Sequence, residues 1–120
     1  MKNFVRLCVC LLGAAAFASD VSIVGTWDVA TSVGGTDGAA VCTFTQKESA
    51  LTGSCMGDDG DHPLTGTVDG NKVNWSYKMQ YEGQELTINF SGILDSDKKF
   101  GGKVDVQPMG VDGEFSAKRK

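Results

Sequence analysis

Histidine occurs once in this 120-residue chain, at position 62, and proline only at positions 63 and 108. Cys-x-x-Cys is absent, so a zinc site has neither the ligand number nor the spacing it needs. Lys and Arg number 11 against 15 Asp and Glu, a net charge of −4. That balance excludes the basic footprint of a nucleic-acid-binding domain. No apolar run reaches the roughly 20 residues that a membrane-spanning helix requires. Beyond the amino-terminal segment no stretch repeats apolar residues at a spacing of 3.6, which excludes a fold built on amphipathic helices.

The amino terminus has its own chemistry. Met1–Ala18 carries Lys2 and Arg6, then an apolar run from Leu7 to Phe17, and ends in Ala16-Phe17-Ala18. This is the layout of a secretory signal peptide, with cleavage expected after Ala18. Neither Cys8 nor Cys10 follows a Leu-small-small triplet, so a lipoprotein anchor is not expected. Ser19–Lys120 is then one domain, secreted or periplasmic, and more acidic than the whole chain because Lys2 and Arg6 are gone.

What remains alternates with period two. Val73, Trp75, Tyr77, Met79 and Tyr81 interleave with polar residues, and Leu86, Ile88, Phe90, Gly92 and Leu94 repeat the pattern. A two-residue turn at Glu82-Gly83 pairs 79 with 86, 77 with 88, 75 with 90 and 73 with 92. A slip of one residue would set apolar against polar throughout, so the register is well specified. A turn around Lys47–Ala50 likewise pairs 46 with 51, 44 with 53 and 42 with 55. Cys42 and Cys55 then face each other on neighbouring strands and are expected to form a disulfide.

Repeating this reading gives eight strands, near 22–31, 39–46, 51–56, 63–68, 72–81, 84–94, 99–107 and 111–118. Eight short antiparallel strands joined by Gly/Asp turns protect their edges by closing into an up-and-down barrel, with a two-sheet β-sandwich as the alternative. Gly25, Gly53, Gly66, Gly92 and Gly102 share the inward parity, which suggests tight coiling. The inward aromatics Trp27, Phe44, Trp75, Tyr77, Phe90, Phe100 and Phe115 either fill the axis or wall a cavity.

Gly25-Thr26-Trp27 on the first strand, with Lys118-Arg119-Lys120 ending the last, resembles the calycin superfamily of lipocalins, fatty-acid-binding proteins and avidins. The resemblance implies a barrel in which a basic residue of the final strand packs over the indole, here Arg119 over Trp27. The chain is also similar to small periplasmic protease-inhibitor barrels, which combine Gly-x-Trp with a disulfide between early strands. Those act through an extended amino-terminal arm, whereas only Ser19–Val24 precede Gly25 here.

Successive turns of such a barrel alternate between its ends. One end gathers the connections near 32–38, 57–62, 82–83 and 108–112, including the two longest glycine-rich loops. Its charges are Asp37, Asp58, Asp59, Asp61, Glu82, Glu85, Asp112 and Glu114, with no Lys or Arg inside the turns. This acidic mouth would attract a cation or a basic partner. Gly57–His62 supplies hard oxygen ligands but not the spacing of a calcium loop, and no metal or cofactor is assigned. Asp58, Asp59, Asp61, His62 and Glu82 are the rim candidates. His62, held extended by Pro63, has no nucleophile at a telling spacing, so no catalytic residue is assigned and no enzyme is expected. Trp75, Tyr77, Met79, Tyr81, Ile88 and Phe90 are the candidate ligand wall. The expected function is non-covalent binding of a small apolar or cationic molecule by a monomer. The alternative is a protein-interaction module, inhibitor-like, with a packed interior and active rim loops.

Overall fold

Alternation gives each strand one apolar face, and short turns bring those faces to the same side. The computed structural model describes residues 22–58 and 60–120; the expected signal peptide Met1–Ala18 and the rim residue Asp59 lie outside the described residues. The strands are β1 (Gly25–Val33), β2 (Thr36–Lys47), β3 (Ala50–Gly57), β4 (Gly60–Asp69), β5 (Lys72–Tyr81), β6 (Gln84–Ile93), β7 (Lys99–Gln107) and β8 (Val111–Arg119). Each pairs antiparallel with the next, and β8 returns to β1 from Trp27↔Arg119 to Val33↔Gly113. The closed barrel removes the sandwich alternative.

Both registers read from the alternation are present. Val73 faces Gly92, Trp75 faces Phe90, Tyr77 faces Ile88 and Met79 faces Leu86. Cys42 faces Cys55, Phe44 faces Gly53 and Gln46 faces Leu51. The two cysteines form a disulfide across a Cα–Cα distance of 4.0 Å, and both are buried. Their loop, with a sequence separation of 13, stabilises the fold by roughly 3 kcal/mol on the chain-entropy account.

The mouth differs from expectation. The two long loops are tight hairpins, because β1–β2 pairing continues to Val33↔Thr36 and β3–β4 pairing to Gly57↔Gly60. Gly34 and Gly35 both take positive φ, 59° and 82°, the conformation a two-residue turn demands and a side chain resists. Strands β1, β2 and β4 therefore reach two to three residues further toward the mouth than alternation alone indicated.

Coiling depends on strands coming closer than side chains permit. A Cβ on Gly66 would lie 1.9 Å from the carbonyl oxygen of Asn74, and one on Gly102 would lie 2.0 Å from that of Ser91. These inward glycines are thus occupied by neighbouring backbone and leave no room for a ring. Gly113 makes the same approach to Ser32, at a position the inward-glycine pattern had not singled out.

The end opposite the mouth is closed by the chain's own segments. Ile23 lies buried beneath β1 and accepts a hydrogen bond at its carbonyl from Trp27 Nε1 at 2.8 Å. The Arg119 guanidinium sits 4.4 Å from the Trp27 ring centroid. It donates to the carbonyls of Val24 (2.7 Å), Ser22 and Asp97. A Cβ on Gly25 would lie 2.5 Å from Arg119 Nη1, so the glycine of Gly-x-Trp makes room for the cation that covers the tryptophan. Replacing Arg119 by Ala removes several charge-assisted hydrogen bonds and a cation–π contact, a loss of roughly 2–3 kcal/mol. Thermal unfolding followed by circular dichroism should show Arg119→Ala melting about 10 °C or more below wild type. Arg119→Lys should recover only part of the difference, since an ammonium lacks the planar fork.

Candidate ligand-binding site

The barrel interior has two unlike halves. Toward the termini it is solid aromatic packing. Trp75 stacks on Phe90 with centroids 4.7 Å apart and planes 6° from parallel. It meets Phe44 and Phe115 edge-on at 5.0 and 5.2 Å, while Trp27 and Phe100 make a further edge contact at 5.0 Å. Leu51, Leu64, Val73 and Leu94 fill the gaps between the rings. Such offset and edge geometries suit the ring quadrupoles.

Toward the mouth the inward positions carry smaller groups. β1 supplies Thr31 and Val33, β2 supplies Gly38 and Ala40, β7 supplies Val104 and Val106, and β8 supplies Val111. These cannot meet across the axis, and a space remains. Its main chamber, about 430 Å³, is walled by Thr31, Val33, Tyr77, Met79, Leu86, Ile88, Phe90, Val104, Val106 and Val111, with Tyr81 and Met109 at its lip. A lateral chamber of about 350 Å³ lies between β2 and β5, against Val29, Ala40, His62, Tyr77, Met79 and Gln80. Thr31, Gly38, Tyr77, Met79, Tyr81 and Phe90 border both chambers. A separate hollow of about 700 Å³ lies on the outer wall around Asp28, Ala30, Val41, Met56 and Lys118.

Of the candidate wall, Tyr77, Met79, Tyr81, Ile88 and Phe90 line the main chamber. Trp75 lies one layer deeper, 2 % exposed, as the floor beneath Phe90. Its indole N–H has no hydrogen-bond acceptor among the described residues. The rim candidates separate. Asp58 borders the lateral chamber, Asp61 is exposed on β4 opposite Met56, and Glu82 occupies the β5–β6 turn with φ 52°.

His62 lies within the wall near the mouth, because β4 begins at Gly60 and pairs it with Cys55. Its ring is half-buried and stacks on Tyr77 at 5.2 Å and 13°. The parity of Leu64 and Gly66, extended two residues back, would have pointed it inward. Val104, Val106 and Val111 of β7 and β8 also line the main chamber, outside the β5 and β6 stripes that form the expected wall. Among the described residues no three of His, Cys, Asp and Glu gather to hold a metal ion.

Comparison with known proteins bears on the fold alone. No protein-family model matches the chain, and no curated protein does. Among solved structures, it is similar to a redesigned β-barrel, b11L5F_LGL, with a TM-score of 0.68 at 16% identity, covering 82% of this chain and 91% of that one. It is also similar to the redesigned β-barrels mFAP1 and mFAP0, each solved bound to DFHBI. Their TM-scores are both 0.57, at 16% and 17% identity, covering 82% and 81% of this chain and 94% and 98% of theirs.

The base and the lip of the chamber should respond unequally to truncation. Phe90→Ala removes a ring packed on three others and should cost roughly 3–5 kcal/mol. Tyr81→Ala, at a side chain 51% exposed, should change stability by no more than about 0.5 kcal/mol. Urea unfolding monitored by tryptophan emission measures both.

Proposed function

We propose that this protein is an exported, non-catalytic binding barrel of calycin type that holds a small apolar molecule, neutral or cationic, in its open half. The observation that carries this reading is the chamber of about 430 Å³, predominantly apolar and set above a fully packed aromatic floor. Its size and lining are those of small-molecule pockets. A barrel serving only as a rigid platform for surface loops would gain stability by filling that space, and its mouth turns are too short to act as recognition loops. The Gly25–Trp27–Arg119 arrangement supports the calycin reading. The two similar barrels solved with DFHBI support small-molecule binding within this architecture.

Export rests on the Met1–Ala18 segment, and the Cys42–Cys55 disulfide fits an oxidising compartment. No helix among the described residues is long and apolar enough to cross a membrane. Closure of the sheet leaves no full-length edge strand to recruit a second copy, which supports a monomer. Ligand charge follows from the surroundings of the mouth, where Asp37, Asp58, Glu82 and Asp112 lie in or beside the turns. An anion approaching them is repelled and a cation drawn in.

Fluorescence titration with the neutral probe N-phenyl-1-naphthylamine tests the reading. Emission enhancement saturating at one probe per chain is expected. Met79→Trp, which fills the space shared by both chambers, should weaken binding about tenfold or more while leaving the melting temperature unchanged or raised. Absence of saturable binding by the wild-type protein would overturn the assignment.

A further inference from the structure

The wall of the barrel is not equally knitted all round. The β5–β6 ladder runs the whole length of both strands, from Lys72↔Ile93 to Tyr81↔Gln84, and β3–β4 pairing reaches Gly57↔Gly60. The β4–β5 ladder between them spans only Asp69↔Lys72 to Thr65↔Ser76. Above Thr65 and Ser76 the two strands continue toward the mouth, each held by its other neighbour.

Pro63 weakens the rung at which the ladder stops. The 4.0 Å separation of Cys42 and Cys55 marks a pair whose backbone groups point away from each other. Cys55 then bonds toward β4, and its opposite residue His62 bonds toward β3. By alternation Asp61, Pro63 and Thr65 direct their backbone groups toward β5. Closure of the β4–β5 hairpin at Asp69↔Lys72 requires the same phase. After Thr65↔Ser76 the next rung would join Pro63 to Lys78, and proline has no N–H to give. Of that rung's two hydrogen bonds only the one from Lys78 N–H to the Pro63 carbonyl could form, and the ladder stops before it.

The lateral chamber lies behind this seam. Its lining includes Gln80, whose neighbours Met79 and Tyr81 face inward and which therefore faces outward on β5. Ala39 of β2, also of outward parity, lines the same chamber, and the β2–β3 ladder stops at Val41↔Met56, so the chamber opens outward on both flanks of the β3–β4 hairpin, and on the β5 flank that opening is the seam. We propose that an apolar ligand enters and leaves sideways, through the β4–β5 seam above Thr65 and Ser76, and that the missing rung at Pro63 keeps this passage open. The proposal rests on the binding reading given above and adds its route. The stacked rings of His62 and Tyr77 stand on the inner side of this seam, so the ligand passes them to reach the lateral chamber, and the stripe of Tyr77 and Met79 separates that chamber from the main one.

Closing the seam tests the route. In the double variant Pro63→Cys/Lys78→Cys the new cysteines occupy the first unpaired position above Thr65↔Ser76, and a disulfide formed when the two strands approach holds the seam shut. The native disulfide is buried, at 1% and 0% exposure for its two residues, so mild dithiothreitol opens the new bond first. Stopped-flow exchange of N-phenyl-1-naphthylamine should slow about tenfold or more in both directions in the oxidised variant, with the dissociation constant little changed, and recover on reduction. Pro63→Val provides a second test by restoring the donor. It should slow exchange in the same paired way and protect the amides of Lys78 and Gln80 from hydrogen exchange. Unaltered exchange rates in the oxidised cross-linked protein overturn the seam as the route while leaving the binding reading intact. Failure of every form, wild type included, to bind the probe overturns both.

Discussion

The guanidinium of Arg119 holds together the place where an up-and-down barrel is weakest, the pairing of its last strand with its first. It covers the Trp27 ring and donates to carbonyls before β1 and after β6. One side chain therefore joins three chain segments far apart in sequence. Everything above relies on that closure, because strands that do not meet leave an open sheet with exposed edges. Gly25 and Trp27 are best understood as its partners, one yielding space and the other a ring face.

From this base the interior changes character along the axis. Ring against ring fills the lower half, where stability resides. Higher up, alanine, glycine, threonine and valine replace aromatics at the inward positions, and their combined volume does not reach the centre. The half-empty interior is thus a matter of residue size at positions whose orientation is already set. The sharp coiling that brings the walls together comes from Gly66, Gly102 and Gly113, where adjacent backbone occupies the place of a side chain.

Strand count, closure, the β5–β6 and β2–β3 registers and the disulfide were all legible in the alternation, because a period of two leaves only one pairing in which apolar meets apolar. The mouth was less legible. A cluster such as Gly34-Gly35 reads as a loop, since composition alone does not distinguish a loop from the tip of a long hairpin. The inward direction of His62 was hidden for the same reason, as a histidine beside aspartates reads as part of a loop until its strand is extended toward the mouth. The lining valines carried no signal of their own, because valine serves a packed core and a pocket equally well. The β4–β5 seam was implicit in Pro63, but its meaning required the phase of the rungs, which only the neighbouring pairs supply.

Separating a packed base from an open top has a consequence for how this chain can change. Mutations that alter a binding site commonly erode stability, and that erosion limits the variants a lineage can sample. Here the residues facing the chamber from β1, β2, β7 and β8 are small and remote from the Trp27–Arg119 closure. Their replacement reshapes the pocket while the aromatic base stays intact. On the binding reading proposed above, such a protein is free to acquire new ligand preferences faster than it loses the ability to fold.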